Sequence, residues 1–214
     1  MESQLTQTFG SVIQDRPPTS HFDDTPVPVS VLAKILNAGH TAPSGHNLQP
    51  ARFLLLRSAE RKAALRRAAF GQQKITEAPI VIVAFAPRNA WKETVDARLD
   101  RQVMIAFTHL RLAAESLGWD TASIEGFDAA AVRKELGLDE DSEIVALLTI
   151  GRLKGKDQGF PGHPPLSRIF FNENSGQAGK RIKAGQFAGT TAVGASALGT
   201  TRSTTARVLG RAPG

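Results

Sequence analysis

For chemistry, this 214-residue chain offers five histidines (His21, His40, His46, His109 and His163), no cysteine, and Arg, Lys, Asn and Gln side chains set in short polar segments. The lack of cysteine excludes a disulfide framework, a cysteine-ligated metal site and a thiol nucleophile, and it removes any reading of redox compartment. His40 and His46 share one segment, but Pro43 and Gly45 intervene and no carboxylate stands near, so solvated loop histidines are expected there rather than a metal site. Gly151-Arg-Leu-Lys-Gly155-Lys156-Asp157 approaches a P-loop, yet it has three residues between its glycines instead of four and an Asp where Ser or Thr would hold magnesium. No GxGxxG follows a strand and no GxSxG elbow occurs, which sets aside a Rossmann dinucleotide site and an α/β-hydrolase. Four polar segments remain: Arg16-Pro-Pro-Thr-Ser-His-Phe22, Ala42-Pro-Ser-Gly-His-Asn-Leu-Gln-Pro50, Gly71-Gln-Gln-Lys74 and Ile124-Glu-Gly-Phe-Asp128. Each taken singly is ordinary turn chemistry.

The elements that must position them follow from periodicity. Leu5, Phe9, Val12 and Ile13 mark an amphipathic helix over residues 4–14, ended by Pro17 and Pro18. A second helix is expected after Ser30 as N-cap, burying Val31, Leu32, Ile35 and Leu36 and stopping at Gly39, with His40 to Pro50 a loop. Phe53 to Leu56 reads as a short strand, Ser58 to Ala69 as a cationic helix, and Pro79 to Phe85, with its Ile-Val-Ile-Val run, as a buried strand. Val95, Leu99, Val103, Ala106, Leu110, Ala113 and Leu117, with Met104, Phe107 and Ala114 beside them, predict a long helix buried on two sides and stopped at Gly118. Thr121 to Ile124 is extended, Asp128 caps a helix to Leu136, and Ile144 to Ile150 is the last strand. Such alternation without a linker or repeat indicates one α/β or α+β domain.

The formal charge of +6 suggests an anionic partner until it is located. Lys180, Arg181, Lys183, Arg202, Arg207 and Arg211 all lie in residues 177–214, which hold no Asp or Glu; the other 176 residues carry 20 cations and 20 anions. That Gly/Ala/Thr-rich tail is too poor in periodic apolar residues to offset its ordering entropy, and it is expected to be disordered. No membrane span or signal peptide is read, so a cytoplasmic protein is expected, with no nucleic-acid or membrane partner. A nucleic-acid-binding protein acting through the tail is the charge-based alternative.

Taken together and in this order, the four segments resemble the FMN-dependent nitroreductase family, over roughly residues 8 to 174. Its most specific parts are Ala42-Pro-Ser-x-x-Asn-x-Gln-Pro50, Leu112-Ala-Ala-Glu-Ser-Leu-Gly118 and Glu125-Gly126-Phe127 before the Asp128 helix. Gly71-Gln-Gln-Lys74-Ile75 and the short insert after the Pro79 strand look most like the compact NAD(P)H nitroreductase branch linked to quinone handling.

The resemblance implies an α+β nitroreductase-like fold over residues 1–176, a mostly antiparallel sheet flanked by helices, with FMN at a homodimer interface. It implies ping-pong electron transfer from NADH or NADPH to quinones, nitroaromatics or similar electron-poor small molecules, with the flavin and no side chain carrying the hydride. Arg16 would bind the phosphate with its planar fork, while Pro43, Ser44, Asn47 and Gln49 would lie against the ring from the partner subunit. Lys74 would stand at the N1/O2 edge, and Glu125 and Gly126 near N5. Pro17 and Pro18 replace donors the family usually has, leaving Ser20 to restore one contact. The second phosphate cluster falls on Pro161 and His163 or, in another register, on Arg168. A flavin-dependent oxidase or dehydrogenase of a dedicated metabolite would use the same fold. Trp91, Phe107 and Phe127 are candidates for acceptor-pocket lining or for core packing.

Overall fold

The computed structural model describes residues 9–14, 19–89, 98–155, 163, 164 and 169. The chain divides into Met1–Phe160 and Pro161–Gly214, and the fold described here is that of the first unit. Four strands, β1 (Arg52–Leu56), β2 (Ile80–Pro87), β3 (Asp120–Ile124) and β4 (Ser142–Gly151), form one sheet in the order β1-β2-β4-β3, every pair antiparallel. The helices are α1 (Phe9–Gln14), α2 (Val29–His40), α3 (Ala59–Ala68), α4 (Lys74–Glu77), α5 (Leu99–Ser116) and α6 (Ala129–Leu136). The α+β class and the antiparallel sheet agree with the sequence reading.

Successive side chains of a strand point to opposite faces, and the Ile80–Ala86 run supplies both. Ile80, Ile82, Ala84 and Ala86 join α2 and α5 in one core, with Val31, Leu32, Ile35, Val103, Phe107 and Leu110. Val81 and Val83 join α3, α4 and α6 in a second core, with Leu65, Ala68, Ile75, Val132 and Leu136. A bulge at Val145, where Ala84 pairs with Ala146 and Phe85 with Ile144, interrupts the β2–β4 register. Phe107 belongs to the first core and is fully buried, and Phe127 packs against the second, which is core packing for both.

Helix ends explain where the sequence expectations hold and where they fail. Ser58 caps α3 by accepting from the Arg61 amide, and Asp128 caps α6 by accepting from the Ala130 and Ala131 amides. Gly118 ends α5 as expected. At a φ of 79° its amide bonds the Glu115 carbonyl at 2.9 Å and that of Trp119 bonds Ala114 at 2.9 Å, a Schellman closure. Helix α2, in contrast, starts at Val29 behind Pro28 and not behind Ser30, since the Leu32 amide already bonds the Pro28 carbonyl at 2.9 Å. Gly39 is no stop either. It lies buried within α2, and a Cβ there would come 2.6 Å from Leu110 Cδ2 and 2.8 Å from its Cγ, so glycine allows α2 and α5 to touch. In α1, Val12 is buried as expected but Ile13 is half exposed. Helix α4 has no signature in the sequence, because four residues show no period. Residues 1–8 and the expected helix start around Val95 lie outside the described residues, as does the 177–214 tail.

Candidate functional site

Three of the four polar segments gather on the α3/α6 side of the sheet. Gln72 donates its side-chain amide to the Gly126 carbonyl at 2.9 Å, and the Asp128 amide bonds the Ala68 carbonyl at 2.8 Å, so the turn leading to Lys74 is joined to Glu125-Gly126. Glu77 accepts from the Phe22 amide at 3.2 Å and from His21 Nδ1 at 3.1 Å, which ties in the segment following Arg16. That segment also runs beside the end of β4, with Asp23 and Lys154 amides bonding the Arg152 and His21 carbonyls. Glu125 and Gly126 are exposed, and Ser20 and Lys74 are half-buried.

The Lys74 ammonium has no hydrogen-bond or ionic partner among the described residues, and burial pushes its pKa below that of an ordinary lysine. Burial lowers Lys62 in the same way. For a base whose folded-state pKa is lowered, the unfolded chain holds more protons in the window between that pKa and the ordinary lysine value, so stability rises with pH there. The protein is therefore expected to melt at a higher temperature at about pH 10 than at about pH 8. The rise should shrink in Lys74→Met, as thermal unfolding across that range would show.

The fourth segment lies elsewhere. Pro43, Ser44, Asn47 and Gln49 sit in the loop after α2, beside α5, on the sheet face opposite Lys74 and Gly126. His46, Asn47 and Gln49 adopt φ values of 50°, 56° and 48°, a left-handed conformation that non-glycine residues hold only when their surroundings enforce it. The enforcing contacts are explicit. Ser44 Oγ accepts from the Gln49 amide at 3.0 Å, Gln102 Oε1 accepts from the Gly45 amide at 2.7 Å, and Arg52 Nη1 donates to the Gln49 and Ala51 carbonyls at 2.9 and 3.0 Å. Pro43, Asn47 and Gln49 are exposed, and the loop borders a cleft of about 450 Å³ whose walls include Leu36, Phe53, Gln102 and Ala106.

Of the other expected residues, His163 is exposed, whereas Arg16, Pro17, Pro18, Pro161 and Arg168 lie outside the described residues, as does Trp91. The roles of Gln102, Arg52, Gln72 and Glu77 are not legible in the sequence, for a polar side chain that serves a backbone group across the fold has no local signature. Thr19 Oγ1, next to Ser20, is buried without a hydrogen-bond partner among the described residues, a donor available at the end of the Arg16 segment. Among the described residues no three His, Asp or Glu side chains gather as metal ligands would, and no helix is long and apolar enough to cross a membrane.

Comparison with known proteins gives a consistent picture. The model described as "Nitroreductase family" matches residues 13–152. The "NADH dehydrogenase" of Thermus thermophilus is 33% identical over 177 residues, covering 67% of this chain and 85% of that protein. Among solved structures, a nitroreductase family protein from Clostridium novyi NT superposes with a TM-score of 0.63 at 25% identity, covering 69% of this chain and 86% of that one. An FMN-dependent nitroreductase from Clostridium difficile R20291 superposes at 0.68 and 19% identity over 77% and 98% of the two chains.

Proposed function

Since the chain belongs to the nitroreductase family, we propose that it is an FMN-dependent NAD(P)H oxidoreductase that passes electrons by a ping-pong mechanism to quinones, nitroaromatics or similar electron-poor acceptors. The observation that carries this reading is the joining of Lys74, Gln72 and Gly126 on one sheet face while the strained Pro43–Gln49 loop stands on the other. One chain cannot close both segments on the same ring, but two copies can, so the working unit is a homodimer.

The donor set suits such a cofactor. A half-buried ammonium and a buried Thr19 hydroxyl beside Ser20, neither with a hydrogen-bond partner among the described residues, and an exposed Gly126 backbone are groups that an anionic, hydrogen-bonding ligand would satisfy. When bound, FMN supplies the two-electron chemistry, taking a hydride from NAD(P)H and returning electrons to an acceptor. The chain's part is to bind and orient. By the family resemblance, Arg16 and Ser20 would hold the phosphate, Lys74 would offset negative charge on the ring, and Glu125 and Gly126 would lie beside it. Pro43, Ser44, Asn47 and Gln49 of the second copy cover the ring. Pro17 and Pro18 carry no side-chain donors and no backbone N–H, so the phosphate would be held by fewer groups than the family usually supplies.

The test is a visible spectrum of the purified protein after incubation with FMN, followed by anaerobic NADPH and then menadione. Flavin absorbance that bleaches with NADPH and returns with the quinone is expected, as is partial loss of flavin on extended dialysis. A protein that remains colourless after reconstitution would overturn the reading.

A further inference from the structure

Helix α4 has only four residues, and a helix so short does not hold itself, because nucleation fixes several residues for a single hydrogen bond. Tertiary contacts hold it. Ile75 is fully buried in the second core. At the C-terminal end, Lys62 of α3 donates from Nζ to the Ala78 carbonyl at 2.7 Å and to the Thr76 carbonyl at 3.3 Å. A cation suits the negative end of a helix dipole. Lys62 is itself 8% exposed, so the charge is kept there against a desolvation cost that also lowers its pKa. Its neighbours on α3 act elsewhere. Arg61 and Arg67 bond Glu135 of α6, and Arg66 bonds the Gly71 carbonyl.

Helix α4 connects the parts of the proposed site. Its first residue is Lys74, its last is Glu77, which holds Phe22 and His21 at the end of the Arg16 segment, and the turn before it carries Gln72 to Gly126. The whole helix spans about 6 Å, so displacement at one end is felt at the other.

We propose that Lys62 is a positioning residue of the cofactor site: by fixing the carbonyl end of α4 it sets Lys74 at the flavin edge and Glu77 against the segment that follows the phosphate arm. This rests on the FMN reading above. Lys62 touches no substrate or cofactor and acts wholly through α4.

The experiment uses the full chain and FMN. Lys62→Met keeps the apolar stem and removes the donor; Lys62→Arg keeps a cationic donor. FMN affinity is read from quenching of FMN fluorescence, the midpoint potential of the bound flavin by dye equilibration, and folding from the melting of the flavin-free protein. Lys62→Met is expected to weaken binding of oxidised FMN about tenfold and to weaken binding of the reduced form about tenfold more, which lowers the flavin potential by about 30 mV for a two-electron couple. Lys62→Arg should recover most of both, and Lys62→Met placed in a Lys74→Met background should shift the potential no further. A Lys62→Met protein that melts lower but holds FMN at the wild-type potential would show a purely structural lysine and overturn the proposal. Should Lys62→Met not fold, Lys62→Gln, with a shorter donor, is expected to show about a threefold loss of oxidised-FMN affinity and about a threefold greater loss for the reduced form, a fall in potential of about 14 mV, and an unchanged potential would again be decisive against it. Wild-type protein that binds no FMN would instead remove the cofactor reading, and this inference with it.

Discussion

Lys74→Met is expected to slow flavin reduction by NADPH about 100-fold, with FMN still bound. The side chain stands at the start of α4, half-buried, and among the described residues nothing neutralises it. A unit charge about 4 Å from a developing negative charge gains roughly 4 kcal/mol at an effective dielectric of 20. Only the part of that gain that grows with electron transfer accelerates the step, and about 2.7 kcal/mol corresponds to 100-fold. Lys74→Arg keeps the charge but not the compact ammonium, so it should lie between the two. Stopped-flow bleaching of the visible flavin absorbance provides the measurement. Equal rates in wild type and Lys74→Met would reduce Lys74 to a lysine at a helix end.

Gly39→Val is expected to cost about 3 kcal/mol of stability, at the upper end of the usual cost of overpacking. The nearest atoms to a new Cβ are Leu110 Cδ2 and Cγ, at 2.6 and 2.8 Å. Cγ is a branch point close to the helix, so rotating the Leu110 tip away does not relieve the overlap, and α2 must lift from α5. The melting temperature should fall by roughly 6–12 °C at fixed protein concentration. Leu110→Ala in the same chain should recover part of the loss by vacating the space, although by itself it leaves a cavity. A Gly39→Val protein as stable as wild type would mean that the two helices do not meet at this glycine.

Gly39 also shows how far a sequence can be read. A glycine near the end of an apolar period is a reasonable helix stop, and Gly118 is one; nothing local distinguishes it from Gly39, whose use depends on a leucine 71 positions away. Strands, capped helices and the long two-sided helix were legible because alternation, Ser58, Asp128 and the apolar stripes act within a few residues. The segments around Lys74, Glu125 and Pro43 were legible only as a set, through the family they resemble. Their distribution over the two sheet faces was not, because it depends on which helices pack where. Lys62 reads as one more cation in a cationic helix, and only its burial and its two carbonyl partners reveal a separate task.

The separation of the Pro43–Gln49 loop from Lys74 by the thickness of the sheet has a genetic consequence. In the homodimer proposed above, each flavin would draw its loop from one polypeptide and its cation from the other. A chain damaged only in the loop and a chain damaged only at Lys74 would each be severely impaired alone. Reassorted at random, half of the pairs would be mixed, and each mixed pair would combine both lesions in one site and leave the other whole, restoring about a quarter of the sites. Two alleles that fail separately would then complement each other within a single cell.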